Sequence, residues 1–212
     1  MHLVFATAGK NQAIPIWFVY AANFDAVRKK LGNSEQAFIS TAAFEAKPGR
    51  LLLLPGSNGK LAGVLLGIEN PDDPDRDQLR PGQLASLLPA GTYYFANRPH
   101  DTRLAALAFA LASYQFSRYR KSEARNVRLV LPEGVDGELL SHVVEGVTLC
   151  RDLTNTPSND MGPSELEAAA RALAKKHSAK VQVTSGAALA RNFPLVHAVG
   201  ATGEQVGAVE QQ

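Results

Sequence analysis

Cysteine is nearly absent from this chain, which has one, Cys150, among its 212 residues. A single cysteine excludes the intramolecular disulfide framework that stabilises many small secreted proteins. The N-terminus lacks the pattern of a cleavable signal peptide, and no stretch reaches the roughly 20 consecutive apolar residues that a membrane-spanning helix needs. We therefore expect a cytoplasmic protein without a membrane segment.

An excess of one charge is also missing. The 22 lysines and arginines nearly balance 20 aspartates and glutamates, which leaves a net charge of +2 and a pI of about 8.7. Such a balance argues against a chain built mainly to neutralise nucleic-acid phosphates. What is present is an ordinary globular composition, 45% hydrophobic and 20% charged, in a chain long enough to bury a substantial core.

Short apolar runs alternate with helical segments over most of the chain. The runs typical of strands are Ile14–Tyr20, Arg50–Pro55, Leu61–Glu69, Thr92–Ala96 and Val127–Leu131. The second and third flank the turn-forming sequence Gly-Ser-Asn-Gly and are predicted to form a hairpin. Strands interleaved with helices indicate an α/β domain.

Three helices are predicted between these strands and a fourth after the last of them. One begins after Asn23 as its N-cap and ends at Gly32 in a left-handed conformation. A short one lies near Leu79–Leu88, after the loop ENPDDPDRD. A third begins at Asp101 with TRLAALAFALASYQFSRYR, whose apolar residues on nearly all sides indicate burial. The fourth runs from about Asp136 toward Leu153.

After Pro157 the pattern changes. Ser164-Glu165-Leu166-Glu167 has the spacing of a capping box opening a helix that should reach about His177. Lys180–Thr184 and Leu195–Val199 are predicted as two further strands. Roughly 50 residues are too few for an independent core of this type, so the second unit is predicted to be unfinished.

The segment RDLTNTPSNDMGP, from Arg151 to Pro163, resembles the segment that joins the two domains of leucyl aminopeptidases. ELEAAARALAKKH, KVQV and ARNFPLVHAVG follow it in the family's order. Upstream, KPGRLLLLPGSNGKLAGVLLGIE and ALASYQFSRYR are similar to the N-terminal domain of bacterial members. The resemblance extends over approximately Ile14 to Gly200.

The resemblance implies a fold and a domain organisation. Residues 1–135 would form an α/β domain like a macro domain, with a mixed sheet and flanking helices. Residues 136–162 would be a linker helix and loop, and residues 163–200 the opening elements of an incomplete α/β catalytic domain. The last segment, 201–212 (ATGEQVGAVEQQ), diverges from the family and is expected to be a disordered tail, which suggests truncation or a frame change near Ala201.

The resemblance also implies a chemistry that this chain lacks the residues to perform. Family members remove N-terminal amino acids from peptides with two divalent ions, zinc or manganese, held by lysine, aspartate and glutamate downstream of the linker. The family's motifs for that centre are absent, and Asn155-Thr156 continues as Pro-Ser. We assign no catalytic, cofactor-binding or metal-binding residue and expect the chain to be inactive alone. A peptide substrate, the metals and a possible homo-oligomer are implied only for a full-length relative.

Two other patterns could be mistaken for metal sites. Asp73, Asp75 and Asp77 have the spacing of a calcium loop, but Gln78 and Leu84 replace the required glycine and glutamate. His142 and Glu145 form H-x-x-E, yet together with Glu138 they lie opposite an apolar arc of the predicted helix. An exposed loop and a solvated helix face are the favoured interpretations.

Nucleophiles and phosphate loops are equally weak candidates. Cys150 belongs to the apolar arc and is predicted to be a buried structural cysteine, and no G-x-S-x-G motif occurs. The remaining histidines, His2, His100, His177 and His197, show no ligand spacing. Gly200, Gly203 and Gly207 match neither the dinucleotide nor the P-loop pattern.

The alternative function is a nucleotide- or nucleic-acid-binding module. Basic residues are interleaved with Tyr114, Phe116 and Tyr119, a combination that can bind phosphates and stack on bases. The basic residues are Arg98, Arg103, Arg118, Arg120, Lys121, Arg125 and Arg128. Because a buried helix separates them, they are predicted to concentrate at its two ends.

Overall fold

The computed structural model describes residues 4–6, 9, 12–56, 59–120 and 126–200. The chain divides into two compact units, Met1–Thr148 and Leu149–Gln212. The strands are β1 (Phe5–Ala6), β2 (Ile14–Val19), β3 (Leu51–Pro55), β4 (Leu61–Gly67), β5 (Gly91–Phe95) and β6 (Val127–Val130). The helices are α1 (Phe24–Arg28), α2 (Asn33–Thr41), a 3-10 helix (Arg80–Gln83), α3 (Leu84–Leu87), α4 (Thr102–Ala112), α5 (Gly137–Asn155), α6 (Pro163–Lys176) and α7 (Gly186–Asn192).

The six strands form one mixed sheet in the order β1-β6-β5-β2-β4-β3. All neighbours are parallel except β3 and β4, which are antiparallel with Leu52 opposite Leu65. The predicted hairpin and the predicted α/β class with a mixed sheet are confirmed. Parallel pairing requires crossover connections, and the helices between the strands supply them.

Helices cover both faces of the sheet, which explains the continuous apolar runs of the central strands. On β2, Ile16 and Phe18 belong to one buried cluster while Trp17 and Val19 contact the other. The first cluster includes residues of α3, α4 and α5, and the second includes residues of α1 and α2. Each face thus excludes water through a different set of helices.

The helix predicted after Asn23 is shorter than expected. α1 ends at Arg28, and Gly32 has φ −68° and precedes a second helix, α2, that was not predicted. Asn23 does not cap α1 through its side chain. Instead its Oδ1 accepts a hydrogen bond from Tyr20 N and its Nδ2 donates to Phe18 O. The asparagine therefore shapes the turn after β2, and the predicted left-handed helix end at Gly32 is wrong.

α4 is buried as its composition predicted, but it is shorter. Asp101 is its N-cap, with a 2.8 Å hydrogen bond from Leu104 N to Oδ1. Ala105, Ala106 and Phe109 are fully buried. The helix ends at Ala112, and residues 114–120 are not helical. Small alanine side chains allow this helix to lie close to neighbouring backbone: a Cβ on Gly82 would come within 2.8 Å of Ala108 O.

Tyr93 makes the stability of the first unit sensitive to alkali. Its side chain is fully buried and its hydroxyl donates to Pro89 O at 2.8 Å. Burial raises the pKa of Tyr93 from 10.0 to about 12. Because the folded pKa is the higher one, this stabilisation is complete below pH 10 and is lost as pH rises toward 12.

We expect Tyr93→Phe to cost about 1 kcal/mol at pH 8 through the lost hydrogen bond. We also expect it to reduce the loss of stability between pH 9 and 11, which urea unfolding at each pH would measure. Tyr119→Phe, at a tyrosine that is 53% exposed, serves as the control. Equal alkaline losses in wild type and Tyr93→Phe would contradict the role of burial.

The second unit contains the end of α5, then α6, α7 and a helical stretch at 194–200. The predicted helix ending near His177 is confirmed, since α6 ends at Lys176. Its predicted capping box uses other residues: Glu165 Oε2 accepts from Gly162 N at 2.9 Å. Hydrogen bonds from its own backbone, from Ser164 and from Gly162 lower the pKa of Glu165.

The two strands predicted in this unit are wrong. Lys180–Thr184 has no regular structure and Leu195–Val199 is helical, with His197 N donating to Phe193 O at 3.0 Å. A strand needs a neighbour for its backbone hydrogen bonds, whereas a helix satisfies its own. Over the described ranges, no strand follows Val130. The apolar residues of these segments therefore have no sheet to join.

Burial differs sharply between the two units. Of the described residues after Thr148, only Thr156 is buried, and α6 and α7 contain no buried residue. Leu195 and Val199 are 82% and 76% exposed. In the described part of the chain, no helix combines the length and apolar composition needed to cross a membrane. In its described part, the second unit thus contains helices that bury no apolar core of their own.

Candidate functional site

The three acidic residues with calcium-loop spacing form part of an exposed turn. Asp73 Oδ1 accepts from Asp75 N, and Asp77 Oδ1 accepts from Leu79 N, both at 2.9 Å. The carboxylates are therefore used locally to shape the loop. Among the residues that the structure describes, no three histidine, cysteine, aspartate or glutamate side chains come together as metal ligands.

His142 and Glu145 lie on the exposed side of α5, as predicted. Cys150, in contrast, is exposed, so the prediction of a buried cysteine is wrong. α5 buries only Leu140, Ser141 and Val144, because only its first half packs against the core of the first unit. Two further residues of the predicted apolar arc, Leu139 and Val143, are 47% and 39% exposed, and Val147 is half-buried.

The other predicted residues are scattered. His177 follows α6 and His197 lies in the helical stretch 194–200, and both are exposed. Gly200 ends the described part of the chain. His2, Gly203, Gly207 and the predicted disordered tail lie outside the described residues.

Four of the predicted basic residues lie at the two ends of α4, whereas Arg128 lies within β6. Arg98 and Arg103 lie near its N-terminus, and Arg118 and Arg120 follow its C-terminus. An 11-residue helix is about 16 Å long. Arg118 lies 5.8 Å from the centre of the Tyr119 ring, while Lys121 and Arg125 are outside the described residues. These residues do not form one continuous stripe.

A cavity of about 680 Å³ lies at the carboxyl ends of the adjacent parallel strands β5 and β6. Two segments line it, Tyr94–Arg103 and Val130–Val135. Arg98 and His100, which follow β5, and Arg103, in the first turn of α4, all line this cavity. The cavity was not predicted from the sequence, although polar residues directly after a predicted strand are a signal that could have indicated it.

Hydrogen bonds hold the first of these segments in place. Asn97 Oδ1 accepts from Phe18 N and Asn97 Nδ2 donates to Phe18 O, both at 2.8 Å. Ala96 N donates to Ile16 O at 2.8 Å. The loop after β5 is thereby attached to β2 before it enters α4. On the other side, Val135 N donates to Pro132 O at 3.2 Å and closes a turn.

A buried ion pair lies elsewhere in the first unit. Glu69 follows β4 and Arg80 begins the 3-10 helix, and their side chains are 8% and 26% exposed. Arg80 Nε donates to Glu69 Oε1 at 2.7 Å, and the second guanidinium nitrogen contacts the same oxygen. Burial by itself would raise the pKa of Glu69, but the hydrogen bond and charge of Arg80, together with hydrogen bonds from the backbone of Glu69 and Asp77, outweigh it and the pKa is lowered. This pair joins the two ends of the acidic loop.

Known proteins resemble both units in sequence. Residues 14–132, more than half of the chain, match the N-terminal domain of M17 aminopeptidases. A probable cytosol aminopeptidase of Streptomyces griseus subsp. griseus is 28% identical over 211 aligned residues. That alignment covers 82% of this chain and 41% of the relative. The chain thus spans about two fifths of the length of the curated relatives it matches.

Solved structures also match most of this chain to about two fifths of a longer protein. The cytosol aminopeptidase from Coxiella burnetii matches with a TM-score of 0.79 and 31% sequence identity, over 90% of this chain and 42% of that one. Bottromycin maturation enzyme BotP matches with a TM-score of 0.60 over 84% of this chain and 41% of that one. Its identity of 20% restricts that likeness to the fold. The chain belongs to the M17 aminopeptidase family, of which it contains the N-terminal domain.

Proposed function

We propose that this chain is the N-terminal portion of a metal-dependent aminopeptidase and hydrolyses no peptide by itself. In the intact enzyme, the first unit would cover the catalytic domain and contribute to assembly. The peptide substrate, two zinc or manganese ions and any homo-oligomer would belong to that longer protein, in the cytoplasm. The observation that carries the proposal is coverage: 90% of this chain matches 42% of a cytosol aminopeptidase.

The exposed apolar residues of the second unit support this proposal. Leu166 and Leu173 on α6, Phe193 after α7, and Leu195 in the final helical stretch are between 44% and 82% exposed. Burying one such side chain stabilises a protein by about 1.5–3 kcal/mol. Helices that leave these side chains in water are expected where the rest of a domain core would cover them.

The side chains present do not fit a two-metal centre. Such a centre needs several carboxylates around two ions about 3.5–4 Å apart. Across the described ranges, no three candidate ligands converge, and the exposed acidic loop uses its carboxylates for its own backbone. A structure of BotP has been solved in complex with Mn. No catalytic step is assigned to residues of this chain.

A direct assay tests the proposal. The purified chain, incubated with leucine p-nitroanilide and added manganese or zinc, is expected to release no p-nitroaniline above the buffer rate. A full-length leucyl aminopeptidase assayed in parallel verifies the reagents. Metal-dependent turnover by this chain that EDTA abolishes would refute the proposal.

A further inference from the structure

We propose that the cavity between the β5 and β6 loops binds a small molecule with an anionic group, a phosphate or a carboxylate, through Arg98 and Arg103. Both segments that line it belong to the first unit. Binding of a ligand at this site would therefore require neither the second unit nor any aminopeptidase activity.

The position and size of the cavity suit a small molecule. Its volume of about 680 Å³ falls within the roughly 300–1,000 Å³ of ligand pockets. In parallel sheets, ligands bind outside the carboxyl ends of strands, where the strand order reverses. Here that crevice lies between β2 and β5, and Asn97 closes it by bonding to Phe18. The open space is displaced by one strand, between β5 and β6.

Two guanidinium groups at this cavity have no carboxylate partner among the residues that the structure describes. Within the part of the chain that the structure describes, neither Arg98 nor Arg103 has a carboxylate oxygen within 4.0 Å. Both are exposed and line the cavity. Guanidinium groups bind phosphate and carboxylate through two parallel hydrogen bonds. An anionic ligand would give both groups the partner that the described residues do not.

Two carboxylates also line the cavity, and they do not neutralise the positive charge of the arginines to the same extent. Asp101 Oδ1 accepts the Leu104 N–H at the start of α4, where the partial positive charge of the helix end offsets its charge. Glu133 lies on the other segment and is exposed. Two arginines therefore face one uncompensated carboxylate, which could accept a hydroxyl or amine of the same ligand.

The cavity wall also contains polar groups that find no hydrogen-bond partner within the described ranges. The N–H groups of Thr102 and Arg103, in the first turn of α4, have no acceptor among the described residues. His100 Nε2 is buried and, over the same residues, has no hydrogen-bond partner. Buried polar atoms without partners are rare and often mark places where a water or ligand completes the structure.

A small molecule is favoured over a nucleic acid strand. A strand would be expected to contact basic residues along an extended path. Here Arg118 and Arg120 follow the far end of α4, about 16 Å away along the helix, and Arg128 lies within β6 and does not line the cavity. The cations that converge are those at the cavity.

The test is a titration of the 212-residue chain at low salt, followed by amide chemical shifts and by calorimetry. Pyrophosphate and citrate are the two probes, and they distinguish phosphate from carboxylate recognition. We expect saturable binding of at least one, with the Thr102 and Arg103 amides among those that shift. Arg98→Gln and Arg103→Gln should each weaken binding about tenfold, the value of one charge-assisted hydrogen-bonded contact.

Arg120→Gln is the matched control, because it removes the same charge beyond the other end of α4. It should bind as wild type does, and all variants should keep the wild-type melting temperature. Three results would overturn the proposal: no saturable binding of either probe, equal weakening by Arg120→Gln, or retention of duplex DNA that only Arg120→Gln abolishes. None of these measurements involves peptide turnover, so their failure is separate from that of the proposed function.

Discussion

Replacing Gly67 by alanine is expected to destabilise the first unit by about 3 kcal/mol or more. A Cβ at this position would overlap the carbonyl oxygen of Lys47 and lie 2.8 Å from its carbonyl carbon. The approach is held by two backbone bonds, from Gly49 N to Gly67 O at 2.9 Å and from Gly67 N to Arg50 O at 2.8 Å. Because the obstacle is backbone, no rotation of a side chain can relieve the clash.

Gly63→Ala is a matched control in the same strand, β4. Its Cβ would meet Leu54 Cδ1 and Pro15 Cγ at 3.5 Å, which is ordinary van der Waals contact. Urea unfolding can be followed through the only tryptophan, Trp17, which packs against the second buried cluster. Gly63→Ala should stay within about 1 kcal/mol of wild type. If the two variants lose the same free energy of unfolding, the close approach of the Lys47 backbone is not what excludes a side chain at position 67.

Arg80→Met is expected to cost about 3 kcal/mol, because it leaves the Glu69 carboxylate buried without its partner. Glu69 is 7% exposed, and its second oxygen, Oε2, already has no hydrogen-bond partner within the described residues. Glu69→Gln combined with Arg80→Met should recover part of the loss, since the buried charge is then removed. Urea unfolding at pH 7 measures both variants.

The pH dependence should be weaker in Arg80→Met. In wild type the pKa of Glu69 is lowered from 4.5, so this stabilisation is present above pH 4.5 and is lost as pH falls through the folded pKa. Without Arg80, only hydrogen bonds from the backbone of Glu69 and Asp77 oppose the effect of burial, so the pKa of Glu69 should rise relative to wild type and less stability should be lost as pH falls. Unfolding curves between pH 4 and 7 test this.

Lys47→Met is the control, because it removes an exposed cation from its 2.6 Å contact with Glu45, in which both side chains are more than 60% exposed. Exposed pairs contribute little, so its unfolding midpoint should match that of wild type. If Lys47→Met and Arg80→Met lose the same stability, burial of the Glu69–Arg80 pair is not what makes it important.

The sequence pattern predicted secondary-structure elements correctly where their formation depends on residues close together in the chain. The apolar run of β2, the antiparallel pair of β3 and β4, and a helix beginning near Asp101 were each predicted from the sequence, and each is present. Hydrophobic runs and caps act over a few residues, so a single sequence contains the evidence for them. The segment from Arg151 to Pro163 likewise indicated the family that the comparisons show.

The predictions that were wrong concern features that depend on packing between residues distant in the sequence. Cys150 and Val143 have the periodicity of a buried helix face, yet they are exposed because core residues meet only the first half of α5. Leu195–Val199 has the composition of a strand, but with no neighbouring strand it is helical. Periodicity predicts which face of an element is apolar, and only the tertiary structure supplies what covers it.

The scarcity of cysteine and the alternation of strands and helices by themselves determined that this is an α/β chain without an internal disulfide. The family could also be recognised from the sequence. Only the tertiary structure brought Arg98, His100 and Arg103 to one cavity with the β6 loop, and only it placed Arg80 beside Glu69. Such contacts join residues distant in sequence through the pairing of strands, a relation that no local pattern contains.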